Sequence, residues 1–175
     1  MLSAAGKMDI VKLPYGPCFM NVEWREEGES RSLVSAVVTR PLLDGRYLTS
    51  LVLVDRTCLG IKNAYKPEIY TADQLSERLA VLDDVHKMEQ VQPAEALSVV
   101  HHAVAYAKKL GFNPHQHFRP EVFEPAPTPL LETPHANDSK PFYFSGPDDD
   151  VDYILRQLDE QLGRDNYDYM LEIGG

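Results

Sequence analysis

The chain has 175 residues, 43% hydrophobic and 25% charged, which is ordinary globular usage and excludes wholesale disorder or a collagen-like repeat. Its 17 Lys and Arg against 27 Asp and Glu leave a net charge of −10, which argues against a protein held mainly by phosphate backbones. Two cysteines, Cys18 and Cys58, are too few for a disulfide framework or a four-thiolate metal site, and read as buried, reduced thiols.

Residues 1–12 read as a flexible leader with no signal-peptide core, and 13–175 as a single domain. No apolar run approaches the ~20 residues of a membrane-spanning helix, so the expectation is a cytoplasmic protein with no membrane contact. Within 18–24, Cys18, Met20, Val22 and Trp24 fall on one face, the pattern of a half-buried strand. Arg25 to Arg31, rich in Glu and Gly, is a hairpin turn. Residues 33–40 form a second strand rich in β-branched side chains. Asp44-Gly45 turns the chain into a third strand, 46–55, apolar on both faces and therefore central. The short connections predict an antiparallel meander.

A loop over 56–65 leads to the helices. Thr71 and Gln74 have the spacing of a capping box, followed by Ala72, Leu75, Leu79 and Leu82 at helical intervals. A second helix starts at Pro93 and stops at Gly111 behind Lys108 and Lys109. Its apolar residues cover about half the circumference, as expected of the main core helix. Eight of the 13 prolines lie in 114–147, a surface wrap anchored by Phe118, Val122, Phe123, Leu130 and Leu131. Phe142–Phe144 reads as a short strand. Asp148, Asp149 and Asp150 open a third helix whose stripe is Val151, Ile154, Leu155, Leu158 and Leu162. Residues 165–175 end the chain as a strand or arm, with Tyr167, Tyr169, Leu171 and Ile173 alternating against polar neighbours. The fold class expected is α+β: a small antiparallel meander packed against two or three helices.

Charge is divided along the chain. Residues 1–67 hold nine Lys and Arg and seven Asp and Glu, while 68–175 hold eight and twenty. The helical end is therefore an acidic face suited to a basic partner. Asp55 at a strand end, with Lys62 seven residues on, is raw material for metal-dependent phosphodiester cleavage, although no local spacing supplies further carboxylates. The competing reading of Asp55 is a carboxylate that accepts N–H bonds from its own turn. His101, His115 and His117 are the candidate metal ligands, against which stand the divergence of the adjacent His101 and His102 on a helix and the free loop around His115. His86 and His135 read as lone and exposed. Cys58 has no local base to make it a nucleophile, and Gly60 alone does not cradle a phosphate. Arg25, Arg31, Arg40, Arg46, Arg56, Lys62 and Lys66, with Tyr47 and Tyr65 for stacking, form the basic end of the sheet, which suits single-stranded nucleic acid or plain edge protection.

The stretches Leu53-Val-Asp-Arg-Thr-Cys-Leu-Gly-Ile-Lys-Asn63, Tyr106-Ala-Lys-Lys-Leu-Gly-Phe-Asn-Pro-His115, Lys140-Pro-Phe-Tyr143 and Ser145-Gly-Pro147 resemble a group of short bacterial proteins with no assigned function. In that group the strand ends Val-Asp and continues Cys-Leu-Gly-Val-Lys-Asp; here Ile61 and Asn63 replace the Val and the last Asp, which weakens a metal reading. The resemblance spans roughly 50–170 and implies one coherent domain with the 56–65 loop and the 111–115 corner as special places; it implies no activity. The function expected is a non-catalytic accessory subunit of a bacterial assembly that binds a protein partner and needs no cofactor. Its binding residues would be Cys58, Gly60, Lys62, Tyr65, Arg40, Arg46, Tyr167, Tyr169 and Leu171, with homodimerisation through the terminal strand as one outcome. The alternatives are a hydrolase or nuclease using Asp55, Lys62 and His115 with a divalent metal, and a single-stranded nucleic-acid module, which the net charge disfavours.

Overall fold

The computed structural model describes residues 9–27, 33–134 and 140–172. The expected leader up to residue 8, the turn from residue 28, His135 and the tail beyond residue 172 lie outside them. Ile10 sits in a 3-10 turn, Ile10–Lys12, and packs against the core.

The fold is α+β. β1 (Cys18–Asn21), β2 (Leu33–Pro41), β3 (Tyr47–Asp55) and β4 (Gly60–Ala64) form an antiparallel meander. β6 (Met88–Val91) adds antiparallel to β1, giving the order β4-β3-β2-β1-β6, and β5 (Glu68–Tyr70) pairs with the free half of β3. The backbone of the sheet is the nine-residue β2–β3 ladder, running from Leu33 opposite Asp55 to Pro41 opposite Tyr47. Period-2 alternation places Val34, Ala36, Val38, Val52 and Val54 on one face, where α2 (Pro93–Lys109) covers them with Leu97, Val100 and Ala103. Residues 18–21 pair as the alternation predicts. Residues 22–25 turn into a 3-10 helix that still buries Trp24.

α1 (Ala72–Asp83) begins at the Thr71–Gln74 capping box and lies on the opposite face of the sheet, with Leu75 its only buried residue. The Pro-rich segment covers the end of the core through Phe118, Val122 and Phe123. Leu131 differs from expectation. Its side chain faces out, while its amide donates to Ser98 Oγ at 2.9 Å, so the anchor there is a backbone one.

A second core joins the C-terminal end of α2 to α3 (Val151–Leu162) through Cys58, Leu110, Phe112, Tyr143, Ile154, Leu158 and Tyr167. β7 (Phe142–Phe144) and β8 (Asp168–Met170) stand apart from the main sheet as a separate parallel pair with α3 as the crossover. Among the described residues no helix is long and apolar enough to cross a membrane.

Candidate functional site

The stretch 55–62 is the natural place to look for chemistry, and its local structure follows from one carboxylate. Asp55 ends β3 at 1% exposure. Its Oδ1 accepts from the amides of Thr57 at 3.0 Å and Cys58 at 3.1 Å, and its Oδ2 from that of Leu59 at 3.1 Å. The turn thus has its buried N–H groups satisfied by a side chain. Burial pushes the Asp55 carboxyl up, opposed by those amides and by the charge of Lys62. Gly60 follows with φ +70°, and a Cβ there would stand 2.7 Å from Cβ of Ala107, so only glycine lets β4 approach α2 this closely. The 56–65 segment is therefore half turn and half strand, not the open loop expected.

Lys62 leaves β4 toward β7. Its side chain is 9% exposed, and its ammonium donates to the Phe144 carbonyl at 2.7 Å and pairs with Asp149 Oδ2 at 2.9 Å. The same Asp149 oxygen accepts from the Tyr143 hydroxyl at 2.9 Å and the Gly146 amide at 2.7 Å. The Thr57 hydroxyl donates to the Phe142 carbonyl at 3.0 Å, and the Phe142 amide returns a bond to Thr57 O at 3.2 Å. The corner at the end of α2 closes the third side: Phe112 N–H donates to Ala107 O, and His115 N–H to Ile61 O, each at 3.0 Å. Residues 53–63, 106–115 and 140–147, far apart in sequence, thus converge on one clasp that fixes β7 against the main domain.

Chemically the clasp is sealed. Burial pushes the Cys58 thiol up, with Asp55 adding to the effect, and pushes the Tyr143 phenol up, reinforced by its bond to Asp149. A thiol held protonated is not a nucleophile.

The imidazoles do not converge on Asp55 and Lys62. His115 Nδ1 accepts from the His117 amide at 3.2 Å, and the two rings stand edge to face at 5.2 Å. Burial and then His117 lower the His115 pKa. His101 and His102 donate through Nε2 to the carbonyls of Phe123 at 3.0 Å and Leu131 at 2.8 Å and hold the Pro-rich wrap on α2. Among the described residues no group of three or more His, Cys, Asp or Glu side chains is placed to hold a metal ion.

The basic end of the sheet also disperses. Arg40 continues the inward series Val34, Ala36, Val38 and is fully buried. Its guanidinium stacks 3.7 Å from the Tyr15 ring and donates to the carbonyls of Val122, Leu13 and Glu124. Burial lowers its pKa. Arg56 is likewise buried and donates to Trp24 O at 2.6 Å. Arg46 is exposed and pairs with Asp44 at 2.6 Å, and Arg25 with Glu89. Arg31 lies outside the described residues. Tyr65 is exposed beneath the Arg78 guanidinium at 5.1 Å.

The terminal strand remains. Tyr167 is buried against α3, its hydroxyl donating to Asp159 at 2.7 Å. Tyr169, Met170 and Leu171 are 52%, 56% and 41% exposed. Asp168 N–H donates to Pro141 O at 2.9 Å, and Met170 O accepts from Ser145 N–H at 3.0 Å. In a parallel ladder this register turns the N–H and C=O of Tyr169 away from β7. Among the described residues no other strand lies beside β8. Sequence reasoning missed Tyr143 and Asp149, since nothing local to Lys62 points to a carboxylate 87 positions on. No family model, curated protein or solved structure matches the chain.

Proposed function

We propose that the chain is a non-catalytic accessory subunit whose protein partner adds an extended, basic segment to the outer edge of β8. The observation that carries this reading is that edge: an outward-facing Tyr169 peptide flanked by exposed Tyr169, Met170 and Leu171 side chains. Edge strands with unpaired backbone groups and apolar side chains are what strand addition uses, main-chain bonds giving affinity and side-chain contacts giving specificity. The clasp supplies rigidity, because β8 is templated by β7, and Lys62 and Thr57 tie β7 to the main domain. Residues 140–172 hold nine Asp and Glu against three Lys and Arg, a local charge of −6. That favours a basic strand and opposes a second copy of the same edge. Support for a non-catalytic role is that Asp55, Cys58, Lys62 and Arg40 are each engaged inside the fold.

The test uses synthetic peptides of alternating valine and lysine, alternating valine and glutamate, and the lysine peptide with alternate backbone nitrogens methylated. The lysine peptide is expected to bind, more weakly as salt rises, and the other two not. Tyr169→Pro deletes the outward donor without removing a β7–β8 bond, and is expected to abolish binding while leaving the thermal midpoint within a few degrees. Equal binding of the methylated peptide or by Tyr169→Pro overturns the reading. A dimer that Tyr169→Pro dissolves replaces the basic partner with a second copy.

A further inference from the structure

The face of the sheet opposite α2 carries a groove that no residue of α3 or of β8 lines. α1 crosses this face but buries only Leu75 fully, so Leu79 and Leu82 stand half-covered above β3. Beneath them is a cleft of about 250 Å³ floored by Val37, Leu51, Leu75 and Leu79. A second cleft of about 190 Å³ shares Leu51 and Tyr65 with it and continues to Leu53 and Leu82. The floor follows β3 from Thr49 to Leu53, ~13 Å at the rise of a strand. The two clefts together are elongated, with apolar walls from Leu51, Leu53, Leu75, Leu79 and Leu82 and polar groups of Ser35, Thr49, Asn63 and Glu68 among them.

Lys66 and Arg78 line the larger cleft beside Tyr65, the residue it shares with the second cleft, and the Arg78 guanidinium lies over the Tyr65 ring. Among the described residues neither has an ion pair. The nearby carboxylate Glu68 accepts from the Tyr70 hydroxyl at 2.7 Å. Two cations without an ion pair among the described residues, against one carboxylate in the same cleft, are a local reversal of sign on a chain of net charge −10. We infer that this groove binds a medium-chain aliphatic monocarboxylate, its carboxylate between Lys66 and Arg78 and its chain along Leu51 toward Leu82. The two clefts, about 250 and 190 Å³, together lie near the lower end of the ~300–1,000 Å³ of small-molecule sites, which suits a single thin chain. The inference rests on different residues from the β8 edge and stands or falls separately.

Decanoate, decanol and butyrate, each titrated below the concentration at which it micellises, test it by calorimetry and by amide shifts in the ¹⁵N spectrum. Decanoate is expected to bind with shifts at Leu51, Tyr65 and Leu79; butyrate is expected to bind far more weakly. Exposed ion pairs contribute modestly to binding, so Lys66→Gln with Arg78→Gln is expected to weaken decanoate about tenfold and leave decanol unchanged. Leu79→Gln, on a half-exposed helix position, weakens both. Equal affinity for decanoate and decanol, no effect of the double variant, no binding, or shifts confined to β8 each overturns the inference.

Discussion

Replacing Asp55 separates the structural from the catalytic reading of the clasp. Asp55→Ala leaves the amides of Thr57, Cys58 and Leu59 without an acceptor in a buried turn. Each buried donor left unpaired costs ~1–3 kcal/mol, and partial relaxation of the turn brings the expected loss to about 3–5 kcal/mol. For a chain of this size that lowers the thermal midpoint by roughly 6–20 °C. Asp55→Asn is the graded control. Its retained oxygen can still accept from Thr57 and Cys58, while its amino group faces the Leu59 N–H, for a cost of about 1–3 kcal/mol. Urea unfolding followed by Trp24 fluorescence and by circular dichroism measures both. A carboxylate held for chemistry behaves in the opposite way, since its removal relieves a buried charge and leaves stability equal or higher. Asp55→Ala within about 0.5 kcal/mol of the parent chain refutes the clasp argument.

Other consequences are read with similar tools. Ser50 Oγ is buried without a hydrogen-bond partner among the described residues, so Ser50→Ala is expected to stabilise the protein by about 1 kcal/mol in the same urea titration. Arg40→Met breaks the bonds to Leu13, Val122 and Glu124 and frees the wrap, so a glutamate-specific protease should cut after Glu121 faster than in the parent while far-UV dichroism is retained. Cys18 is pushed up to about 11 by burial, and Cys58 is also raised, from an ordinary 9.0. The unfolded thiols therefore release their protons first, and stability falls as pH climbs above about 9. The slope of unfolding free energy against pH should flatten in Cys18→Ala with Cys58→Ala; an unchanged slope refutes the assignment.

The layout of the main sheet was legible where long strands or capped helices declare themselves. The β2–β3 ladder follows from β-branched alternation around Asp44-Gly45, and α1 and α2 follow from Thr71–Gln74 and from Pro93 to Gly111. β4, β5 and β6 were illegible because they are three to five residues long and carry Lys62, Asn63, Glu68, Glu89 and Gln90. Strands that short are defined by pairing with a neighbour rather than by their own pattern. The parallel β7–β8 pair could not be read locally either, since it exists only once α3 returns the chain to β7.

Arg40 shows how a signal can be present and outweighed. Strand periodicity alone sets it on the face of Val34, Ala36 and Val38, yet the rarity of buried arginine argues for an exposed position. The period prevails because the chain brings three carbonyls, from Leu13, Val122 and Glu124, to that point of the core edge. An arginine there closes two irregular segments over the sheet at once, which an aliphatic side chain cannot do, since those carbonyls would remain unpaired. Asp55 and Lys62 follow the same logic: one satisfies amides, the other a carbonyl and a carboxylate. Their charges are placed where backbone groups of poorly repetitive segments need partners. The ionisable residues that stand out most in the sequence therefore fix the loops.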